Sequence, residues 1–357
     1  MKMSSASPKK YKAADLARFV RQIFVKLGMP EADAAVAADS LVRADLEGNE
    51  SHGVSRLGIY AKRMREGRIA ANPDIRFDRR GSVLVVDGGN GLGQVVSYRA
   101  LETAFPMAGE TGILGVFVNN SNHFGTAAYY CRLACEKNMA LIAMTNSPPG
   151  IPPWGGKQAF FGTNPIAFGF PTREEPPVIV DMSSSVVARG KIILAHKLGE
   201  PIPPGWAIDE EGEETTDPAA ALRGAVLPLG GAKGYALALA IEMMTGVLSG
   251  AAYGPHVRNL YKDGDPAANV GHCFILLDIA KWMPLEQYFD TMEKFLHEVK
   301  AVPKAKGANE IFYPGERRYA HFVRRSGEGL PVPQEVADEL ARLGEQWGVS
   351  FPEGEVV

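Results

Sequence analysis

A hydroxyl, an imidazole and a guanidinium stand close together in the segment Ser51-His52-Gly53-Val54-Ser55-Arg56. An imidazole near its reference pKa of about 6.5 exchanges a proton at neutral pH. A guanidinium binds a carboxylate through two parallel hydrogen bonds, and Arg56 shares a face with His52 if the segment is helical. The segment therefore suits proton transfer on a bound acid. The alternative is helix capping and surface hydrogen bonding, which a Ser-His pair also provides.

A second histidine, His123, lies in the polar loop Asn119 to Ala127, between a predicted strand and a predicted helix. Gly125 in this loop allows a ligand to approach the backbone closely. Amides at the start of a helix favour an anion such as a pyrophosphate. The loop is therefore either a phosphate site or an Asn/Ser-rich N-cap, and His123 competes with His52 as the group that transfers the proton.

The glycine-rich segment Asp87 to Gln94 follows a predicted strand and precedes a predicted helix, as a dinucleotide fingerprint does. The fingerprint requires a third glycine three residues after a Gly-x-Gly pair, and this position is Gln94 in one register and Val96 in the other. A tight turn into a helix is the alternative interpretation. If the chain binds a dinucleotide, it does so without the usual Rossmann loop.

Helices in the first eighty residues must position the Ser51-His52 segment. Apolar residues between Leu16 and Leu27 recur every three or four positions, which predicts one buried helical stripe. A second helix opens at Pro30 and runs toward Gly48, so it delivers Ser51 and His52 at or after its C-terminal end. A third helix is predicted near residues 56–66.

From Ser82 onward, short β-branched runs alternate with helical stretches, which predicts an α/β core. The predicted strands cover residues 83–86, 113–118, 141–144, 166–170, 178–180 and 274–279. The predicted helices cover residues 95–107, 126–138, 184–198, 232–250 and 285–300, with a last amphipathic helix within 331–357. Between them, the Pro/Gly-rich stretches 146–162 and 201–218 indicate ordered loops of the kind that line sites.

Composition excludes several classes of function. The chain has 357 residues, 46% of them hydrophobic, so it can bury a sizeable core. Its net charge of −3 gives no attraction to nucleic acid or to an anionic membrane. No targeting or membrane-spanning segment is evident, and we expect a cytoplasmic protein. The three cysteines and seven histidines lack metal-ligand spacing, so buried free thiols and no metal site are predicted.

Motifs in several separated loops resemble one known family. They are Ala44-Asp45-Leu46 through Ser51-His52-Gly53-Val54, Ser121 to Gly125, Thr145-Asn146-Ser147, Gly162 to Phe168, Asp181-Met182-Ser183, Ala188 to Lys191, Leu229 to Tyr235 and Pro314-Gly315-Glu316. In this order, the motifs resemble those of the malate/L-lactate dehydrogenase family. The resemblance covers most of the chain, from residue 44 to about 317.

The resemblance implies an α/β fold of the L-sulfolactate dehydrogenase-like, non-Rossmann NAD(P)-binding kind with a helical N-terminal part. It implies a homodimer that uses NAD or NADP to move a hydride to or from a small 2-hydroxy acid or 2-oxo acid. The expected division is a helical part at 1–60, a discontinuous α/β domain at 61–120 and 285–357, and an NAD(P)-binding domain at 121–284.

The resemblance also distributes roles over named residues. His52 would be the acid/base with Ser51 orienting it, and Arg56 would bind the substrate carboxylate. Thr163, Arg189 and Gly190 would face the substrate. The residues implied for the cofactor are His123, Phe124, Gly125, Thr126, Ala127, Asp181, Met182, Ser183, Leu229, Gly230, Pro314, Gly315, Glu316, Arg317, Arg318, Tyr319 and Ala320.

Lys191 is a further catalytic candidate, with a surface lysine as the alternative. It stands where the members that reduce cyclic imino acids carry an acidic residue, which favours a hydroxy-acid/oxo-acid reaction. The alternatives within the family are ureidoglycolate, sulfolactate and cyclic imino-acid substrates. An alternative of another class is a non-catalytic homodimer that only binds a small molecule.

Overall fold

The computed structural model describes residues 9–174, 176–260, 262 and 266–355. The described α-helices are α1 (Ala13–Lys26), α2 (Glu31–Leu46), α3 (Leu57–Arg65), α4 (Gly93–Thr111), α5 (Ala127–Cys135), α6 (Arg189–Leu198), α7 (Pro218–Arg223), α8 (Ala232–Glu242), α9 (Leu285–Ala301), α10 (Glu316–Glu328) and α11 (Gln334–Trp347). A π-helical turn, Met243–Val247, continues α8.

Twelve strands are present in the described residues. They are β1 (Lys9–Tyr11), β2 (Arg76–Arg80), β3 (Val83–Asp87), β4 (Ile113–Ser121), β5 (Met139–Thr145), β6 (Ile166–Phe170), β7 (Val178–Met182), β8 (Ala207–Ile208), β9 (Glu214–Thr215), β10 (Ala225–Val226), β11 (Val270–Asp278) and β12 (Leu330–Val332). Seven form the main sheet, in the order β2-β3-β4-β11-β5-β6-β7. Only β3 and β4 pair in parallel, so this is not a doubly wound sheet.

The two faces of the main sheet carry different cores because successive side chains of a strand point to opposite faces. On β11, Phe274 and Leu276 pack in the core beneath α4 and α5, whereas Cys273 packs with Ile241 of α8 on the other face. The sheet is therefore covered by helices on both sides.

A separate core joins the two ends of the chain. The apolar stripe of α1 is fully buried, as its periodicity predicts, and it packs with α2, α3 and α11. Leu340 of α11 is buried in this core, which confirms that the C-terminal helix docks on the body. Strands β1 and β12 pair beside it. This helical layer holds the turns that follow α2.

The predicted helices and strands are found, but the short strands β1, β8, β9, β10 and β12 and helix α7 were not predicted. Helix α10, which begins at Glu316, was also not predicted, because it is rich in arginine and its apolar stripe is short. The helix predicted from residue 184 begins only at Arg189. Strand β2 was not predicted because all five of its residues are exposed, which leaves no apolar alternation.

The three cysteines are buried free thiols, as predicted. The main sheet is continuous across residue 120, because β4 ends at Ser121 and pairs with β11. The division into three parts remains a proposal. None of the helices in the described ranges combines the length and the hydropathy that crossing a membrane requires.

Candidate active site

A cleft of about 200 Å³ lies between the turns after α2, the loop before α5 and the loops that follow β5 and precede β6 and β11. It is lined by His52, Arg56, His123, Phe124, Gly125, Thr145, Asn146, Ser147, Pro148, Thr163, Pro165, Arg258, Asn259, Leu260, Ala268 and Val270. Six of the residues singled out in the sequence meet here: His52, Arg56, His123, Phe124, Gly125 and Thr163.

Two short 3-10 turns, Glu50–His52 and Val54–Arg56, carry the first of these residues. Asp45, near the end of α2, accepts a hydrogen bond from the Val54 amide at 2.8 Å and so fixes the second turn. A Cβ on Gly53 would overlap the Asp45 carboxylate, so this position requires glycine. Burial raises the pKa of Asp45 to about 7.

The hydrogen bonds of His52 favour one tautomer. The single hydrogen of the Ser51 hydroxyl is donated to Asn49 Oδ1 at 3.0 Å, so Ser51 Oγ accepts from His52 Nδ1 at 2.8 Å. Nδ1 then carries the proton and Nε2 keeps a lone pair. Desolvation, followed by the positive charges of Arg56 and Arg318, lowers the pKa of His52 to about 4. At neutral pH the ring is therefore an uncharged base.

His123 has the opposite arrangement. Gln94 Nε2 donates to the Tyr60 hydroxyl oxygen at 3.3 Å, and the Tyr60 hydroxyl then donates to His123 Nδ1 at 2.6 Å. The proton of neutral His123 therefore sits on Nε2. Burial, together with His52 and Arg56, holds the pKa of His123 well below its usual range.

The two imidazoles lie together in the cleft, with ring centroids 5.4 Å apart and planes inclined by 29°. One ring presents a lone pair and the other an N–H group. A hydroxyl placed between them could donate to His52 and accept from His123. This is the arrangement that proton transfer to and from an alcohol oxygen requires.

Arg56 supplies positive charge beside these rings. Its Nε donates to the carbonyl oxygen of Ser51 at 2.5 Å, which ties the guanidinium to the turn that carries His52. Burial lowers the pKa of Arg56, although arginine stays protonated in proteins. No aspartate or glutamate is among the described lining residues, so an acidic ligand would meet no like charge there.

A buried histidine outside the cleft, His272, stabilises the strand ends and the loop beneath it. His272 of β11 bonds Thr145 Oγ1 of β5 and Ser121 Oγ of β4, each at 2.8 Å. Its ring stacks on Phe124 at 4.7 Å. Burial lowers the pKa of His272 to about 3, so it stays neutral and holds three strand ends together.

A run of backbone hydrogen bonds leads away from the cleft wall. The Ser184 amide donates to the Thr163 carbonyl and the Leu229 amide donates to the Ser184 carbonyl, both at 2.9 Å. Met182 and Leu229 expose 37% and 41% of their surface along this run, and a Cβ on Gly230 would meet nothing within 4 Å. Open space beside exposed apolar side chains and glycine backbone fits a flat heterocyclic ring or a phosphate group.

The rest of the predicted cofactor segment lies around a buried ion pair. Asp181 accepts hydrogen bonds from the Ala128 amide and from Arg318, both at 3.2 Å, and Arg318 also bonds Glu47. Burial raises the pKa of Asp181, and the charge of Arg318 opposes that rise. The Asp181 carboxylate therefore takes one of the amides at the start of α5 that the sequence offers to a phosphate.

The segment Pro314 to Ala320 runs beside β7. The Pro314 carbonyl accepts from the Ile179 amide at 3.0 Å, and a Cβ on Gly315 would lie 2.5 Å from the Pro177 carbonyl. Glu316 accepts from the Tyr313 amide at 2.8 Å, which ties the first residue of α10 to the turn before it. The described contacts of these residues stabilise the start of α10 against β7.

The residues predicted at the start of α6 do not line the cleft. Arg189 and Lys191 are exposed, and Arg189 donates to the Leu222 carbonyl at 3.0 Å. Gly190 borders a second cavity of about 470 Å³, which Ser51 also lines. Ser51 thus stands between the two cavities and contacts His52 through its hydroxyl.

Several residues of the site are absent from the sequence predictions. Tyr60 lies four residues after Arg56 on α3, and that spacing could have placed it on the same side. Gln94 and Arg258 carry no local signal, because only the fold brings them to the cleft. No group of three or more His, Cys, Asp or Glu side chains in the described ranges could hold a metal ion.

Comparisons with known proteins show which proteins this chain resembles. Residues 11–341 match the family model described as malate/L-lactate dehydrogenase. The chain is 40% identical to malate dehydrogenase of Pyrococcus horikoshii, over 93% of each chain. It is 39% identical to (2R)-3-sulfolactate dehydrogenase (NADP(+)) of Chromohalobacter salexigens, over 88% of this chain and 92% of that one. The solved sulfolactate dehydrogenase of Methanocaldococcus jannaschii superimposes with a TM-score of 0.90 at 36% identity, over 96% and 98% of the two chains.

Proposed function

The chain belongs to the malate/L-lactate dehydrogenase family, and we propose that it transfers a hydride between NAD(P)(H) and a small 2-hydroxy acid or 2-oxo acid of the malate/lactate type. Its class, a dehydrogenase acting on a CH–OH group with NAD or NADP, follows from the family. The observation that supports the proposed substrate is the meeting of His52, His123 and Arg56 in one cleft whose described lining contains no carboxylate.

His52 is the base of the proposed oxidation. Its Nε2 lone pair takes the proton of the substrate hydroxyl, while the hydrogen at C2 leaves with its electron pair. The cofactor, when bound, accepts that hydride at its nicotinamide ring. Ser51 holds the ring in the required tautomer through Nδ1. In the reduction, protonated His52 returns the proton to the oxygen.

His123 donates its Nε2–H to the same substrate oxygen. This hydrogen bond favours the carbonyl as charge develops on the oxygen. Tyr60 holds the His123 ring in the donor tautomer, and Gln94 holds Tyr60. Exchange of the two roles, with His123 as proton donor, is the competing mechanism.

Arg56 binds the C1 carboxylate of the acid. A guanidinium held to the His52 turn keeps the carboxylate at a fixed distance from the base, which orients C2. Thr163 completes this wall. Lys191, Arg189 and Gly190 could act on the substrate only if α6 or a second subunit brings them closer, because none of them lines this cleft.

The run from Thr163 through Ser184 to Leu229 is the proposed cofactor track. In this proposal, residues His123 to Ala127 border the track at the cleft, and Asp181 to Ser183 lie beside it. The space next to Gly230 is unfilled by the described residues, so a cofactor group could enter there. The segment Pro314 to Ala320 contributes through Arg318, which reaches Asp181. The choice between NAD and NADP is left to measurement.

We propose a homodimer formed through α8. This helix carries no charge between Gly234 and Ile241. The outward residues of α8 and of the π-helical turn that continues it include Ala236, Leu239, Ala240, Met243 and Val247. Leu239, Met243 and Val247 expose 36%, 51% and 56% of their surface. A contiguous exposed apolar helix face is typical of a protein interface.

The test is a panel of 2-oxo acids with both reduced cofactors. We expect NADH or NADPH fluorescence to change on binding, and absorbance to fall when pyruvate, oxaloacetate or 3-sulfopyruvate is added. Ureidoglycolate oxidation and the reduction of a cyclic imino acid are the arms for the alternative substrates. Binding of a small acid without turnover of any member of the panel would favour the non-catalytic homodimer.

A further inference from the structure

The positive charge of the cleft exceeds what a monocarboxylic substrate requires. Its described lining contains two guanidinium groups, those of Arg56 and Arg258, and no carboxylate. In the proposed function, Arg56 binds the C1 carboxylate. His52 and His123 contact the reacting oxygen. With a monoacid bound, Arg258 would face the cleft without a counter-charge.

No contact within the described residues explains the position of Arg258 at the cleft. Its side chain is exposed at the cleft, and its amide donates to the Ala268 carbonyl at 3.4 Å. Within the described ranges its guanidinium has no hydrogen bond, ion pair or ring contact. A partner for it must therefore come from outside those residues.

The segment that carries Arg258 is held firmly. Arg63, only 3% exposed, donates to the carbonyls of Leu260, Asn259 and Lys262 at 2.6, 2.7 and 2.9 Å. On the other side of Arg258, Val257 is buried with 2% exposure. Arg258 is thus presented to the cleft from between two anchors.

One helix connects the two backbone segments that carry these cations. Helix α3 begins directly after Arg56 and contains Arg63, which donates to carbonyls of the segment that follows Arg258. Both cations therefore lie on backbone that α3 holds at the cleft.

We propose that Arg258 determines substrate specificity by binding a second acidic group, a carboxylate or a sulfonate, at the end of the substrate distant from C1. This inference rests on the proposed function. It commits the chain to 2-hydroxy acids with two negative charges in preference to monoacids.

The test compares oxaloacetate with 2-oxobutyrate, which has the same number of carbons and an uncharged tail, in the full chain with its preferred reduced cofactor. In the variant Arg258→Gln, we expect kcat/KM for oxaloacetate to fall roughly 10- to 100-fold, the effect of losing one charge-assisted hydrogen-bonding pair. For 2-oxobutyrate the change should stay within about twofold. Arg342→Gln, an exposed arginine on α11, is the matched control and should leave both values unchanged.

A third arm uses 3-sulfopyruvate. A larger loss for 3-sulfopyruvate than for oxaloacetate in Arg258→Gln would identify a sulfonate as the preferred distal group, and the reverse would identify a carboxylate. Circular dichroism and the thermal midpoint show whether the variant is folded as the wild type is.

Three results would overturn the inference. The first is an equal loss for oxaloacetate and 2-oxobutyrate, and the second is no loss for either. The third is a raised KM for NADPH alone, which would place Arg258 on a cofactor phosphate. Wild-type turnover of 2-oxobutyrate would keep the proposed function in all three cases. Absence of turnover with every acid would overturn the proposed function, and the inference with it.

Discussion

At the scale of single residues, two stacked histidines are neutral for the same reason and differ in which nitrogen holds the proton. Asn49 and Ser51 place the proton of His52 on Nδ1, whereas Gln94 and Tyr60 place that of His123 on Nε2. Desolvation and a nearby guanidinium keep both rings uncharged. At neutral pH, His52 can therefore act as a base and His123 beside it can donate a hydrogen bond.

The lowered pKa of His52 sets the pH dependence expected for oxidation. The neutral ring is the base, and a pKa of about 4 keeps it neutral far below the reference value near 6.5. We expect kcat/KM for the 2-hydroxy acid to stay level as pH falls through 6.5 and to decline only toward pH 4. Initial rates of NAD(P)H formation measure this, with circular dichroism to monitor folding. A decline of kcat/KM that begins at pH 6.5 or above would contradict a neutral His52 base.

Sequence could indicate residue types for this site but not their hydrogen bonds. The spacing of His52 and Arg56 predicted that they share a side, and both line one cleft. The tautomer of His123 depends on Gln94 and Tyr60, which lie on different helices. Arg258 stands 202 positions after Arg56, and the sequence around it looks like an ordinary loop.

At the scale of elements, the turn after α2 depends on a close contact between Asp45 and Gly53. The carboxylate occupies the space that a side chain at Gly53 would need, and it also binds the Val54 amide. Gly53 therefore lets the Asp45 carboxylate lie against the backbone beside His52.

We predict that Gly53→Ala moves the turn and lowers both activity and stability. Overpacking a buried site costs about 1–3 kcal/mol, and His52 would lose its place beside His123. Gly327→Ala on α10 is the control, because a Cβ there meets nothing within 4 Å. Thermal midpoints and kcat decide the matter. Equal behaviour of the two variants would be evidence against a tight contact at Gly53.

Elements with a regular apolar pattern could be predicted, and those without one could not. The apolar stripe of α1 and the β-branched run of β4 are both visible in the sequence as regular patterns of apolar residues. Strand β2 and helix α10 are mainly polar, and strands β8, β9 and β10 have two residues each. Their pairing depends on tertiary contacts that local sequence does not carry.

At the scale of the whole molecule, the mostly antiparallel sheet explains why the glycine fingerprint is absent. The usual Rossmann loop follows the first strand of a parallel sheet, whereas here only β3 and β4 are parallel. The family resemblance supplied what periodicity could not, namely an NAD(P)-dependent dehydrogenase without that loop. The shared fold of the solved sulfolactate dehydrogenase agrees.

We predict that the outward face of α8 forms the dimer. The double variant Leu239→Glu and Met243→Glu would bury two charges in an apolar interface, so it should sediment as a monomer. Phe295→Glu, at an apolar position on α9 that is more exposed than either, should remain a dimer. Analytical ultracentrifugation gives the result. A wild-type monomer, or a double variant that stays dimeric, would disprove this interface.

The most direct test of the proposed mechanism is the single-turnover rate of hydride transfer from bound NAD(P)H to a saturating 2-oxo acid in His52→Ala. Loss of a general acid/base lowers such a rate by about 100-fold or more, while the cofactor Kd, measured by fluorescence, should change by less than about twofold. His123→Ala and Arg56→Ala, measured alongside, separate the hydrogen-bond donor and the carboxylate site from the base. An unchanged rate in His52→Ala would contradict the proposal and move the proton transfer to His123.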